Sequence, residues 1–461
     1  MQRILAICWL TWKAALRFRL FLVIAALLIV AVVGLPLVIK DDGTAQGFTQ
    51  IILTYTLSAI TALLGFSTIW LSCGTLARDI EECQIQVLAT KPIARWQIWL
   101  GKWLGIAMLN AALLAISGAC VYGMLMWRAA KLPPKVQQVL REEILVARGS
   151  AKPPTQTADI ETITDKELKQ NLQNHPVDNP KDVVEMRRQI REQVKATLQV
   201  VPPEYIKVWE VDLSKVKDSV RDKPLRLRIK FNTPIVGATT TFKVQWGVGQ
   251  AEKPGWSSDY MDLSADTYHE FPIPSGLLDS KGILTINAYN PNNIALLFPL
   301  EDGMEVLYPE GGFGMNFARA LGIIFCWLTL MSAMGLMAAS FLTFPVAAFF
   351  SMALMVVVLS SGTLAESVSN GTITSGNEET GVMGHSSSDM LLIPIFKGLL
   401  VVTGLVKNFS PVDALSSGRT ITWGQLGLAF AQIVLLVGGF FVLIGMILFH
   451  RRELATAQGN Q

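Results

Sequence analysis

The chain has 461 residues, 51% of them hydrophobic and only 16% charged, with a formal net charge of +3. Soluble domains carry about 25% charged residues, which argues against a water-soluble globular enzyme, and so small a net charge gives no footing for nucleic-acid binding. The charges are also segregated: residues 128–315 hold 24 of the 39 Lys+Arg and 25 of the 36 Asp+Glu, so a membrane body interrupted by one water-soluble insert is expected.

From the N-terminus, Leu5, Trp9, Trp12 and Leu16 fall at helical spacing beside Lys13 and Arg17. That pattern suits a helix, Arg3 to Arg19, lying in the inner membrane interface; an extended first span is the alternative. Leu20 to Ile39 follows without a charge. It is long enough to span and no A-x-A site follows it, so it reads as an anchor rather than a signal peptide. Ile51 to Ala77 and Trp103 to Trp127 are uncharged as well.

Between these two runs lies ARDIEECQIQVLATKPIARWQIWLGKW, residues 77–103. Asp79, Glu81 and Glu82 precede an apolar set, Ile85, Val87 and Leu88, and Lys91–Pro92 breaks the helix before Arg95 and Lys102 open the next one. An acidic helix, a tight Pro turn and a basic return to the membrane would form a hairpin for a partner on that side. The plainer reading is a solvated loop with ordinary flanking charges.

Residues 128–315 form the insert. Its first part, 135–200, reads as helical: Lys135 to Arg148 stopped by Gly149, a short helix capped by a box of Thr164 and Glu167, and one apolar face of Val183, Met186, Ile190, Val194 and Leu198 ended by Pro202–Pro203. The period then becomes two. Leu225, Leu227, Ile229 and Phe231 alternate with Arg226, Arg228 and Lys230, and Phe242, Val244 and Trp246 with Thr241, Lys243 and Gln245. With further strands at His269–Ile273, Ile283–Tyr289 and Ile294–Phe298, residues 204–310 are expected to form an antiparallel β-sandwich-like part. Trp246, Trp256 and Tyr260 are either a binding face or core and rim aromatics.

Ala320 to Ala365 is a run of 46 uncharged residues, about 69 Å as one helix against a hydrocarbon core of about 30 Å. It must therefore be two spans, divided at Thr343–Phe344–Pro345. Thr420 to Phe449 supplies a sixth span, whereas Met390 to Val406 is short and holds Pro394 and Lys397, as in a re-entrant or interfacial helix (390–407). Six spans put both termini on one side. Ten Lys/Arg then fall on that side (Arg3, Lys13, Arg17, Arg19, Arg78, Lys91, Arg95, Lys102, Arg451, Arg452) and five in the short segments opposite. The positive-inside rule makes the termini cytoplasmic and the insert extracytoplasmic.

Several chemistries are missing. No G-x-x-x-x-G-K-[ST], G-x-S-x-G or H-E-x-x-H motif occurs. His175, His269, His385 and His450 are scattered, and the five cysteines, Cys8, Cys73, Cys83, Cys120 and Cys326, all lie outside the insert, which gives no clustered metal site and no disulfide framework. The spans hold no Asp, Glu, His, Lys or Arg before His450, unlike the relays of ion-coupled carriers. Energy for uphill transport would have to come from another subunit. Asn110 and Gln432 are isolated polar residues suited to helix–helix hydrogen bonds.

The loop resembles the signature of ABC-transporter permeases of the type-2 export class, including the branch associated with multi-copper-enzyme maturation. The matching positions are Arg78, Asp79, Glu81, Leu88, Pro92, Ile93, Arg95, Gly101 and Lys102, with Cys83–Gln84 where that family usually has Gly-Thr. FSPVDALSSG, residues 409–418, is similar to its Ser-Pro-x-Asp element. The resemblance covers roughly 1–127 and 316–450 and leaves out the insert.

The resemblance implies a polytopic α-helical membrane protein of six spans plus a re-entrant or interfacial helix. Its domains would be 1–127, with the interfacial helix Arg3 to Arg19 as the family's elbow, spans one to three and coupling loop 78–102; the α+β insert 128–315; and 316–461. Arg78, Asp79, Glu81, Glu82, Leu88, Pro92, Arg95 and Lys102 would couple to a cytoplasmic ABC ATPase dimer. A second permease subunit would complete the path through the lipid bilayer of the plasma (inner) membrane. This chain would then be no enzyme and bind no cofactor, ATP and magnesium belonging to the partner. The other reading is a membrane-anchored extracytoplasmic binding or scaffold protein with the sandwich as its working part.

Overall fold

The computed structural model describes residues 2–17, 19–38, 45–82, 85, 93–141, 145–154, 157–174, 180–221, 223–234, 241–249, 254–300, 302–359, 394, 396–398, 400, 403–406 and 409–452. The chain divides into two compact units, one made of residues 1–147 and 312–461 and the other Arg148–Gly311. The division falls inside the expected 128–315.

The first unit is helical. Helix α1 is Gln2–Arg17; α2, Arg19–Ile29, runs through a π-helical turn, Val30–Gly34, into α3, Leu35–Val38; α4 is Ala45–Glu81, α5 Arg95–Ala129 and α6 Pro134–Val139. After the second unit come α10, Phe313–Ala339, and α11, Phe344–Leu359. The short α12, Pro411–Ser416, precedes α13, Trp423–Ala429, which passes through a π-helical stretch, Phe430–Gly438, into α14, Gly439–Arg451. Among the described residues four helices are long and apolar enough to cross a membrane: Ile52–Glu81, Arg95–Ala129, Phe313–Ala339 and Trp423–Arg451. The break between α10 and α11 falls where Phe344–Pro345 was expected to place it, and the 16 residues of α11 reach about 24 Å. Of the 390–407 segment, residues 394, 396–398, 400 and 403–406 are helical and the rest lie outside the described residues.

These helices share buried apolar faces: Leu53, Leu57, Ile60 and Leu64 of α4 pack with Val121 and Leu125 of α5 and Phe317, Ile324 and Leu328 of α10. Asn110, 2% exposed, accepts a hydrogen bond from the Thr68 hydroxyl at 3.0 Å, the expected bond between two spanning helices.

The second unit joins a helical hairpin to a β-sandwich. In the hairpin, α7 (Thr157–Asn174) and α8 (Pro180–Gln199) bury Ile160 against Ile190 and Val194, the face expected from their spacing. Thr164 is no cap: it lies inside α7 and its hydroxyl donates to the Ile160 carbonyl at 2.6 Å.

The strands are β1 Val146–Ala151, β2 Val200–Val201, β3 Ile206–Asp212, β4 Leu225–Ile229, β5 Thr241–Gly249, β6 Pro254–Ser257, β7 Met261–Ser264, β8 His269–Ile273, β9 Ile283–Tyr289, β10 Leu296–Leu297 and β11 Met304–Gly312, with α9 at Lys217–Val220. One sheet runs β1-β11-β4-β8, a second β3-β9-β5-β6 with β7 also on β5, and β10 pairs with β2. Register puts Leu227 opposite Val306 and Phe271, and Trp246 opposite Ala288. All five residues lie in one buried apolar cluster. On the other face of the first sheet, Arg148 and Arg226 both pair with Glu270, and Arg228 with Glu305. This is why the alternate residues of LRLRIKF are charged.

One expected element is overturned. Lys135–Arg148 is not one helix: α6 ends at Val139 and residues 146–151 are β1. A Cβ on Gly149 would lie 2.2 Å from the Tyr308 ring. Gly149 thus admits the facing strand instead of stopping a helix. The strand expected at Ile294–Phe298 is only Leu296–Leu297.

Candidate functional site

The flanks of the loop between α4 and α5 are held by contacts that the sequence does not display. Leu88 and Pro92, with Cys83–Gln84, lie outside the described residues; of the rest, residues 77–82, 85 and 93–102 are described. Lys102 on α5 donates to Asp79 on α4 at 2.5 Å and to the Thr75 carbonyl at 2.9 Å. Its side chain is 7% exposed and that of Asp79 25%. A nearly buried ammonium is stable only with an opposite charge and further acceptors, and α4 supplies both.

Two neighbours of Asp79 hold a third element. The Glu81 carboxylate accepts the Phe344 backbone N–H at 3.1 Å, placing a negative charge at the positive end of the α11 dipole. The Arg78 guanidinium lies over the Phe344 ring at 4.8 Å, a cation–π contact, while Trp70 meets the same ring edge-on at 5.1 Å. Glu82 is exposed and its N–H closes the last turn onto the Arg78 carbonyl at 2.8 Å. Ile85 is buried with Ile69, Trp99 and Phe449.

Arg95 opens α5 and closes α14. Its Nη1 donates to the carbonyls of His450 at 2.8 Å and Arg452 at 2.9 Å. A cation there satisfies orphan carbonyls and complements the helix dipole. Arg452 in turn donates to the carbonyls of Ala339 at 3.3 Å and Ser340 at 3.2 Å, where α10 ends. The fully buried Trp99 donates to the Ser340 hydroxyl at 3.1 Å. The ends of α4, α10 and α14 and the starts of α5 and α11 are therefore bolted into one collar. The sequence shows Arg451 and Arg452 only as topological charges, and nothing in it marks Trp99 or Ser340; these contacts span hundreds of residues and have no local period.

Helix α1 packs on the same stretch of α5. Ile7, Cys8, Thr11 and Ala15 are buried, while Leu5, Trp9 and Leu10 are exposed. A Cβ on Gly101 would lie 2.8 Å from Ile7 Cβ, and one on Gly105 would lie 2.9 Å from both the Cys8 carbonyl oxygen and Thr11 Cβ. Gly101 and Gly105 are a G-x-x-x-G pair, the spacing that lets two helix backbones touch.

The Ser-Pro-x-Asp element forms α12. Ser410 donates to Asp413, and Asn316 of α10 holds the chain beyond it, donating to the Arg419 carbonyl and accepting the Ile421 N–H, both at 2.7 Å.

The aromatic trio does not form one face. Trp246 is fully buried in the sandwich core, 5.7 Å from Phe271; Trp256 is half-buried against that core, and Tyr260 alone is exposed, at 55%. Among the described residues no group of three or more His, Cys, Asp or Glu is placed to hold a metal ion.

No curated protein and no solved structure matches the chain. Residues 5–149 match the family described as ABC-2 family transporter protein. That stretch contains all but the first three residues of α1, the loop with its two flanking helices and the Gly101–Gly105 contact. Together with the long apolar helices, the match supports a membrane-embedded permease subunit of the ABC-2 type.

Proposed function

We propose that this chain is the transmembrane permease subunit of an ATP-binding-cassette exporter, driven by a separate cytoplasmic ATPase dimer and paired with a second permease subunit. In this reading it sits in the plasma (inner) membrane with six spans, both termini and residues 78–102 cytoplasmic, and residues 148–311 outside. The observation that carries it is the collar. Each flank of the loop is fastened to other helices, by Asp79–Lys102, Glu81–Phe344 and Arg95 on the end of α14. A push on the loop would therefore move α4, α5, α11 and α14 as a body instead of bending one hairpin, which is what rigid-body switching requires.

The test is association with the ATPase. The full chain is expected to co-purify an ABC-type ATPase and to hydrolyse no ATP when purified without it. Leu88→Asp with Glu82→Arg should weaken the association of the folded permease with the ATPase. ATP hydrolysis by the chain alone, or association untouched by the double substitution, would overturn the assignment.

A further inference from the structure

The other end of α5 carries a cavity that coupling does not use. After Ala129 the chain turns through Pro133 into α6, and Gln137 fastens α6 to that turn, its amide donating to the carbonyls of Ala130 at 2.9 Å and Leu132 at 2.8 Å. The start of α10 closes the opposite side. Between them lies a cavity of about 340 Å³, walled mainly by Tyr122, Met126, Leu140, Leu145 and Phe313, with the exposed Arg141 on its lining. The Tyr122 and Phe313 rings lie nearly parallel, 6.2 Å apart. All lining residues belong to the helical unit.

Charge and depth identify the occupant. From Arg128 to Arg141 the chain carries four cations, Arg128, Lys131, Lys135 and Arg141, before Glu142 and Glu143, which leaves a net charge of +2 over residues 128–143. Lys131 sits over the Trp127 ring at 3.5 Å. An aromatic and cations at the end of a long apolar helix mark the membrane–water boundary. The volume lies within the roughly 300–1,000 Å³ of ligand pockets, and the cavity joins apolar walls to a guanidinium suited to grip a phosphate with two parallel hydrogen bonds.

We infer that this cavity binds a bilayer phospholipid with an anionic headgroup, its acyl chain against Met126, Leu140, Leu145 and Phe313 and its phosphate on Arg141. The site needs no ATPase and stands whether or not the coupling reading does.

Native mass spectrometry of the delipidated full chain in neutral detergent, titrated with phosphatidylglycerol or phosphatidylcholine, tests it. Both lipids offer Arg141 a phosphate, but the choline cation of phosphatidylcholine cancels its charge and is repelled by the guanidinium, so wild type should retain one phosphatidylglycerol at about ten-fold lower lipid concentration than phosphatidylcholine, and Arg141→Gln should bring the two within about two-fold. Gly312 lines the cavity, and a Cβ there meets nothing within 4 Å. Gly312→Leu should therefore fill the space and cut phosphatidylglycerol retention about ten-fold at an unchanged unfolding midpoint. Equal retention of both lipids by wild type, or a preference that survives both substitutions, would overturn the assignment. So would displacement of bound phosphatidylglycerol by inorganic phosphate alone, since the site would then be one for a soluble anion.

Discussion

Lys102 and Asp79 meet at 2.5 Å across two long apolar helices, α5 and α4, with the lysine side chain 7% exposed. Such a pair is held less by its own attraction than by what either member costs when left alone. Asp79→Asn leaves a nearly buried ammonium held by the Thr75 carbonyl without its counter-charge, and should destabilise the chain by about 2–3 kcal/mol. That is somewhat below a fully buried pair, because Asp79 retains some water contact. Asp79→Leu combined with Lys102→Met removes both charges and should recover most of the loss. Equilibrium unfolding of wild type, Asp79→Leu, Lys102→Met and the double variant reads the coupling directly; additive losses would mean that the pair does not hold the two helices together.

Arg95 binds the end of α14 through one guanidinium nitrogen, Nη1, that donates to two carbonyls. Arg95→Ala should fray the last turn, at a cost of about 1–2 kcal/mol, so amide exchange over residues 448–452 should quicken about five- to thirty-fold. Arg95→Lys keeps the charge but shortens the side chain and should fall between the two. Exchange in Arg95→Ala no faster than in wild type would show that the turn is fixed by something else.

Several features of this arrangement are readable in the sequence because they repeat. The period of two in Leu225–Phe231 and Phe242–Trp246 and the face Val183–Leu198 each expose one side to a shared core, so local spacing alone reports them. Charge alone likewise marks Asp79, Arg95 and Lys102 as flanking a loop. What those charges do is another matter. Arg95 finds its carbonyls at residues 450 and 452, and Glu81 finds an N–H at residue 344, with no local pattern linking the members. The strand β1 is hidden for the same reason: Gly149 reads as a helix stop until Tyr308 is laid against it, and Arg148 reads as a helix end until Glu270 pairs with it.

The glycine pair on α5 makes the docking of α1 sensitive to single methyl groups. Gly105→Val places carbon where the Cys8 carbonyl oxygen and Thr11 Cβ already lie at 2.9 Å, and neither is the flexible tip of a side chain. Helix α1 must move outward. With Thr11→Cys as reporter and its labelling read by peptide mapping apart from native cysteines such as the exposed Cys120, modification by a water-soluble maleimide should be slow in the otherwise wild-type chain, where position 11 is 5% exposed. It should be at least about ten-fold faster with Gly105→Val, a local opening eased by more than about 1.4 kcal/mol. Unchanged reactivity would mean that α1 is held by contacts other than this face.

Lys207 ties the sandwich to α8, donating to the Leu198 carbonyl in the last turn of that helix. Burial lowers its ammonium pKa from 10.5 to about 8, because charge is harder to carry away from water. Between about pH 8 and 10.5 the unfolded chain therefore binds more protons at this position than the folded one. Stability from this group then rises with pH across that window and is lowest below it. Lys207→Met removes the titration and should flatten the rise. Unfolding of the full chain followed by exchange at residues 206–212, at pH 7.5, 9 and 10.5, should show the slope in wild type and its loss in the variant. A slope that persists in Lys207→Met must come from other groups.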